Sequence, residues 1–565
     1  MKSFLACLFL IIIGALIFGA VLKGIWGNIP AESLKDKTEY SLRDRGRYLL
    51  TQNLIEHQTF ALTREQANLA APDAGYYKGK WFELYPPGLS ILAIPFYIVG
   101  LRFNLSFVAT FVMGGIFAIG ILIFTFLIAR QILKMPYWAS ILASIIFGFS
   151  SNSLGYSTSL FQHHASAFFI LASFYAVYQY KIHKKWGFIL GFFIWASYGL
   201  VIFLDYPNAI LMLPVMIYFL IVSINIKKVN DRINLVFRPA IIITSVFFIL
   251  ITALHLYYNY VNFGSATKLS GSLIGFREGV DKALDKGGSL NDNLKKLSQK
   301  KNPVNSFKET SIANGAFELF IAPDRGLFIF SPVFILAFVG VFYAASRMDL
   351  EKGTLISIAA VTIFFYASWG DPYGGWAFGP RYLITALPFL ALFVSYFLSV
   401  NSHKIVSKIV AFLLIGISAA ISMLGAVTTN ATPPQSEAVW LNSHYQTGTH
   451  YGIQYAFDFL MSGKTSSFVY TYFLHNRMSL LQYYELLLGG VMVVFTFVLF
   501  VMPVLGLIRS APIFRRKSVP DKVSPAFVPV EHIRGAKGGA AEREIIPFER
   551  KYHARLVSLR KNDGN

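Results

Sequence analysis

Residues 105–129 read LSFVATFVMGGIFAIGILIFTFLIA, twenty-five positions without one charge, and the run stops at Arg130-Gln131-Ile132-Leu133-Lys134. A helix rises about 1.5 Å per residue, so this length crosses the ~30 Å hydrocarbon core of a bilayer. No water is present there to take backbone N–H and C=O groups, and a helix satisfies them internally. The run is read as a transmembrane helix whose basic end lies on the cytoplasmic side.

The same pattern recurs on either side of it, at residues 4–22, 138–149, 161–180, 186–203, 209–226, 239–257, 327–345, 355–366, 382–400, 409–427 and 484–508. The predicted fold is an all-α polytopic membrane protein of about twelve transmembrane helices. The composition agrees: 565 residues are 55% hydrophobic and only 14% charged, more apolar surface than a soluble core hides. The first run follows a single Lys2 and has no small-x-small cleavage site, so it is read as an uncleaved span rather than a signal peptide. The lone Cys7 excludes a disulfide or a cysteine-based metal site within one chain. A net charge of +21 is read as topology and attraction to anionic headgroups, not as nucleic-acid binding.

With the N-terminus inside, the short cytoplasmic connections are 130–134, 181–185, 227–238, 347–352 and 403–408, and each carries at least two Lys or Arg. The outside segments are then 23–104, 150–160, 204–208, 258–326, 367–381 and 428–483. This count requires residues 88–101 to lie along the outer face, which Pro86, Pro87 and Pro95 favour. Residues 1–509 form the membrane domain. Residues 510–565, rich in charge, Gly and Pro, are expected to be a disordered cytoplasmic tail.

Sorted by side, the unusual motifs fall outside, whereas the cytoplasmic connections are chemically plain. Asp44 heads an apolar-periodic stretch through Tyr48, Leu49, Leu50, Leu54 and Ile55, expected to be an amphipathic helix lying on the surface. A carboxylate there is a candidate general base, worth about 10²–10⁴ in rate when well placed, or a solvated partner of Arg43, Arg45 or Arg47. Arg325 and Arg381 end predicted spans, where a planar guanidinium suits a lipid-linked phosphate or snorkels to the interface. Around Arg381, the Gly374-Gly375 and Gly379-Pro380 turns let backbone approach a ligand, and Trp369, Tyr373 and Trp376 offer ring faces, with Asp371 among them.

His163 and His164 open a span; neighbouring positions on a helix point apart, so joint metal ligation is not expected. Asp205 ends a long apolar run, where an ionisable group is costly unless it faces a pocket; a second acid and a structural partner for an Arg are both open.

These residues, in this order, resemble the GT-C superfamily, polytopic glycosyltransferases that use polyprenyl-phosphate-linked sugars, and its bacterial branch related to protein mannosyltransferases and aminoarabinose transferases. The resemblance rests on Asp44-Arg45-Gly46-Arg47-Tyr48 in the first outside segment, on Tyr85-Pro86-Pro87-Gly88 at its end, and on Trp369 to Tyr382. It implies that Asp44 is the catalytic base, that Arg381 and Arg325 bind the donor phosphate, and that Tyr48, Tyr85, His163, His164, Asp205, Trp369, Asp371 and Trp376 line the site. The family's second acid is replaced by Arg45, so metal dependence does not carry over and no cofactor is expected. The implied partners are a polyprenyl-phosphate-linked sugar and a glycan, lipid or protein acceptor at the outer face of the cytoplasmic membrane. Two other classes stay open: a lipid-pyrophosphate-dependent oligosaccharide ligase or polymerase using His444, His450 and His475, and a flippase of lipid-linked material. Charge-poor spans and the lack of an inverted repeat speak against the flippase.

Overall fold

The computed structural model describes residues 1–28, 44–229, 232–237, 239–275 and 311–505. The expected tail at 510–565 lies outside the described residues, as do Arg43 and part of the segment 258–326.

Each predicted apolar run carries a helix. In chain order the first are α1 (Lys2–Ala20), α2 (Arg45–Glu56), α3 (Arg64–Ala70), α4 (Gly88–Arg102), α5 (Ser106–Leu127), α6 (Tyr137–Phe149), α7 (Gln162–Ile182) and α8 (Gly187–Leu204). Later runs form helices Leu213–Ser223, Val246–Phe263, Ile335–Ala345, Leu350–Ala367, Leu387–Val400, Ile405–Val427 and Leu480–Thr496. Seven helices of the described chain are long and apolar enough to cross a membrane, and the other apolar helices are shorter or, like α7, more polar. The chain is thus a predominantly helical, multi-pass membrane protein in which phenylalanines such as Phe126, Phe147, Phe149, Phe174 and Phe219 fill the interior. Large apolar side chains also cover the outer faces, among them Phe4, Phe188, Phe342, Leu413 and Val493. In water such a surface would drive aggregation; against lipid it is the solvated face.

Two features differ from expectation. The connection 227–238 is not a plain loop: strands Ile224–Val229 and Arg232–Phe237 pair as an antiparallel hairpin. The amphipathic α2 exists, but it is sunk rather than surface-lying, with every residue from Arg45 to Asn53 buried. It is covered because α4 packs along it and the hairpin β1 (Ala74–Tyr77) and β2 (Lys80–Glu83) folds over its start. The polar side chains thereby buried find partners. Thr51 Oγ1 donates to the Arg47 carbonyl at 2.8 Å, and Asn53 and Gln66 exchange amide hydrogen bonds at 2.8 and 2.9 Å. Gln66 also completes a capping box with Thr63 at the start of α3. The chain around Gly275 adds a short strand to β1, bringing the segment after Val246–Phe263 onto the first outside segment.

The late segment docks beside the end of α1. The Phe468 N–H donates to the Leu22 carbonyl at 2.7 Å, and Ser467 Oγ and Tyr483 OH donate to the Ala20 carbonyl, each at 2.8 Å. These joints set the first and the last outside segments side by side.

Candidate active site

Asp44 sits at the N-cap of α2 without using its side chain to cap it. It is 1% exposed, and both carboxylate oxygens are buried without a hydrogen-bond partner. A buried, unpaired carboxylate is costly; here the charges of Lys23, Arg47 and Arg381 act on it from three parts of the chain. Burial pushes the carboxyl above its ordinary value of 3.8, and the three cations pull against that rise. Ser159 lies beside the carboxylate and eases its ionisation.

Arg47 follows Asp44 by three positions, which on a helix places both on one side. Its guanidinium carbon stands 4.1 Å above the Tyr85 ring. Nη1 donates to the Leu160 carbonyl at 3.0 Å and Nη2 to Gln162 Oε1 at 2.7 Å, while Nε has no partner. Gln162 in turn donates through Nε2 to Asp205 Oδ2 at 2.6 Å. Burial raises Asp205 to about 6, with the Gln162 hydrogen bond opposing the rise.

Arg381 enters the same region from the Gly-rich loop. Its guanidinium carbon lies 4.9 Å from the Phe161 ring, the ring that Arg47 also faces at 5.6 Å. The two guanidiniums are therefore no farther apart than those distances combined. Nε and Nη1 of Arg381 are buried without partners. The loop wraps this closely because Gly374 has φ +66° and a Cβ there would stand 2.9 Å from Arg381 Nε. His163 packs its ring against Tyr382 and Phe161, at 6.0 and 6.2 Å, and leaves Nε2 without a partner. His164 points elsewhere, its Nε2 2.8 Å from Ser153 Oγ.

Arg325 is 1% exposed and more fully engaged. Nη1 donates to the Tyr373 carbonyl at 2.6 Å, Nε reaches Asp324 at 3.4 Å, and Nη2 alone lacks a partner. The buried phenol of Tyr156 feels the charges of Arg381, Arg325 and Asp44 together, so all three belong to one neighbourhood. Asn152 adds a fully buried amide with neither end partnered.

Other candidates stand farther off. Tyr48 is turned one helical step away from Arg47, its hydroxyl 3.2 Å from Ser106 Oγ and its ring 4.9 Å from Phe107. Trp376 Nε1 donates to Glu437 at 2.8 Å, Trp369 packs on Phe365, and Asp371 is exposed. Sequence reasoning passed over Lys23, Ser159, Asn430 and Glu83. Glu83 presses both unpartnered oxygens against the first turn of α2, where a Cβ on Gly46 would come within 1.9 Å of Oε2. Burial holds its carboxyl well above the ordinary range, Arg47 opposing and Asp73 reinforcing. Among the described residues no group of three or more His, Cys, Asp or Glu is placed to hold a metal.

No protein-family model matches the chain, and no curated protein does. Among solved structures it is similar to the oligosaccharyltransferase AglB of Archaeoglobus fulgidus in complex with an inhibitory peptide and a dolichol-phosphate. That match has 13% identity over 78% of this chain and 58% of that one, with a TM-score of 0.40. The Archaeoglobus fulgidus oligosaccharyltransferase with zinc and sulfate gives 16%, 78%, 56% and 0.44 in the same order. ArnT from Cupriavidus metallidurans in the apo state gives 12%, 87%, 76% and 0.44. The chain spans little more than half the length of the archaeal enzymes. Likeness at this level leaves the function to be read from the side chains.

Proposed function

We propose that this protein is a membrane glycosyltransferase of the GT-C kind, moving a sugar from a polyprenyl-phosphate donor to an acceptor hydroxyl or amine with inversion. The observation that carries the reading is the pairing of a buried carboxylate, Asp44, open at both oxygens, with a buried guanidinium, Arg381, open at two nitrogens. Such groups destabilise a fold unless something else uses them.

In this reaction the acceptor oxygen or nitrogen attacks the anomeric carbon, its proton passes to Asp44, and the bond from that carbon to the phosphate oxygen breaks. Negative charge gathers on the departing phosphate, and fixed N–H donors aimed at it favour the transition state over the ground state. Arg381 offers Nε and Nη1, and Nη2 of Arg325 and Nε of Arg47 are likewise without partners. Tyr85, Phe161 and Tyr382 supply ring surface around the guanidiniums. The acceptor is a glycan, lipid or protein, and the site opens on the outer face of the cytoplasmic membrane, where lipid-phosphate sugars are available and nucleotide sugars are not. The ligase alternative finds less support, because His444, His450 and His475 are exposed and the first two are engaged locally, with Trp440 and Asp458.

The test is transfer from radiolabelled polyprenyl-phosphate sugars in membranes carrying wild type or Asp44→Asn. Label should reach an acceptor only with the wild type; undiminished transfer by the variant removes Asp44 as base. The pH profile gives a second check. A base works ionised, and the folded carboxyl titrates above 3.8, so kcat/KM should rise with pH along a limb lying above that value.

A further inference from the structure

We infer that Lys23 is a positioning residue for Asp44: its buried ammonium, held by Ser159, is the counter-charge that keeps the carboxylate in its base form. The inference rests on the glycosyltransferase reading only for its catalytic consequence.

Lys23 lies just past the end of α1 and is 3% exposed. Burying an ammonium costs several kcal/mol unless an anion or a set of acceptors compensates it. Its Nζ finds a single neutral acceptor, Ser159 Oγ at 3.1 Å, and the negative charge acting on it is that of Asp44. No direct ion pair joins the two; Ser159 stands between them. The Ser159 oxygen accepts from Lys23 Nζ and, at 2.8 Å, from Asn430 Nδ2. With both lone pairs engaged, its own proton is left to point toward the Asp44 carboxylate, which lies beside it without a regular hydrogen bond. Two buried ions thus compensate each other across one hydroxyl.

The geometry is held from several sides. Lys23 forms a β-bridge with Ser467, the Leu22 carbonyl accepts from the Phe468 N–H, and Thr158 Oγ1 donates to the Val21 carbonyl at 3.1 Å. Asn430, the other donor to Ser159, is fixed through its carbonyl by Tyr156 OH at 3.2 Å and the Phe378 N–H at 3.0 Å. The charge beside Asp44 is therefore preorganised by the first, the second and the last outside segments together.

The charged groups facing Asp44 are Lys23, Arg47 and Arg381, with the Tyr156 phenol nearby. The two guanidiniums keep their charge at any working pH. Lys23 does not: burial lowers it to about 8, with Asp44 opposing. It is the titratable member of the set, so the carboxylate loses one of its three compensating charges as pH rises through that value.

The experiment uses the full chain in lipid nanodiscs and dicyclohexylcarbodiimide, an apolar reagent that modifies buried carboxyls in their protonated form. Modification of the peptide bearing Asp44 is followed by mass spectrometry across pH, with Asp44→Asn as the blank. In Lys23→Met the midpoint should move to higher pH by about one unit or more, the size expected when a neighbouring opposite charge is lost. Lys23→Arg should stay near wild type, and Ser159→Ala should move the same way by less. Superimposed midpoints for Lys23→Met and wild type, or an acid shift, overturn the inference. Should Lys23→Met yield no folded protein, Ser159→Ala decides on the same criterion. Transfer assays on the same variants separate the two claims. If Asp44→Asn transfers at full rate the base assignment falls, while the modification midpoints still judge Lys23. If both hold, Lys23→Met moves the acid limb of kcat/KM by the same amount as the modification midpoint.

Discussion

Two polar clusters lie at opposite sequence-assigned sides of this bundle, and they are built on opposite principles. Near segments predicted to be cytoplasmic, Lys181 Nζ and Tyr218 OH both donate to Glu351 Oε1, at 2.6 and 2.8 Å, and Asp349 caps the helix that starts at Leu350. Each of those donors ends on an acceptor. Where segments predicted to be outside meet, both oxygens of Asp44 and Glu83, and nitrogens of Arg47, Arg325, Arg381, His163 and Asn152, have no partner within the fold. The fold holds these groups ready at a cost in stability, which is the mark of a site rather than of structural glue.

The largest effect that separates the clusters should come from the two carboxylates. Asp44→Asn should lower transfer by about 10²–10⁴. Glu351→Gln should leave transfer per folded molecule within about twofold, since it keeps an oxygen for Tyr218. Comparable losses of transfer in the two variants would erase the distinction. On the cationic side, Arg381→Gln should lower kcat by about 10²–10³, the usual effect of removing a donor to transition-state charge, whereas Lys181→Gln should not change it. A loss in KM alone would make Arg381 a binding residue.

A third measurement addresses placement rather than charge. Gly46→Ala adds a methyl where Glu83 Oε2 lies 1.9 Å away, so either β2 or the first turn of α2 must move, and Asp44 moves with it. A misplacement of about 1 Å costs up to ~10² in rate. The expected result is a loss of that order, partly restored by Glu83→Gly, which clears the space. An equal loss in the double variant would show that Glu83 acts chemically and not only by bulk.

How much of this was legible in the sequence follows from which interactions decide each feature. The apolar runs announced their helices because lipid leaves a run of ~20 apolar residues no other structure. The pairing of strands Ile224–Val229 and Arg232–Phe237 was hidden, since Lys227 and Lys228 record topology whatever the backbone does. Asp44, Arg381, Arg325, His163 and Asp205 stood out against plain surroundings, and the structure brings Asp44, Arg381 and Arg325 around Tyr156. Tyr48 stood out equally and yet faces Ser106, because one helical step turns a side chain by about 100° and an apolar period does not say what covers each side. Lys23, Ser159 and Asn430 carry no local signal. Each is ordinary in its own segment, and their roles arise where three distant segments meet.

The smallest effect sharpens the comparison most, because it asks what holds the paired cluster together. Lys181 is 43% exposed while Glu351 is 11% exposed, so the ammonium recovers solvent or headgroup contacts when its partner is lost, and Lys181→Met should cost less than about 1 kcal/mol. Glu351→Ala should cost more, about 1–3 kcal/mol in thermal unfolding, because it leaves the buried Tyr218 hydroxyl without an acceptor. If the unpaired hydroxyl is the cause, adding Tyr218→Phe to Glu351→Ala should return most of the loss, since removing both partners of a buried hydrogen bond is nearly neutral. A double variant no more stable than Glu351→Ala would locate the energy in the ion pair, and the contrast between a satisfied cluster and an open one would then rest on charge alone.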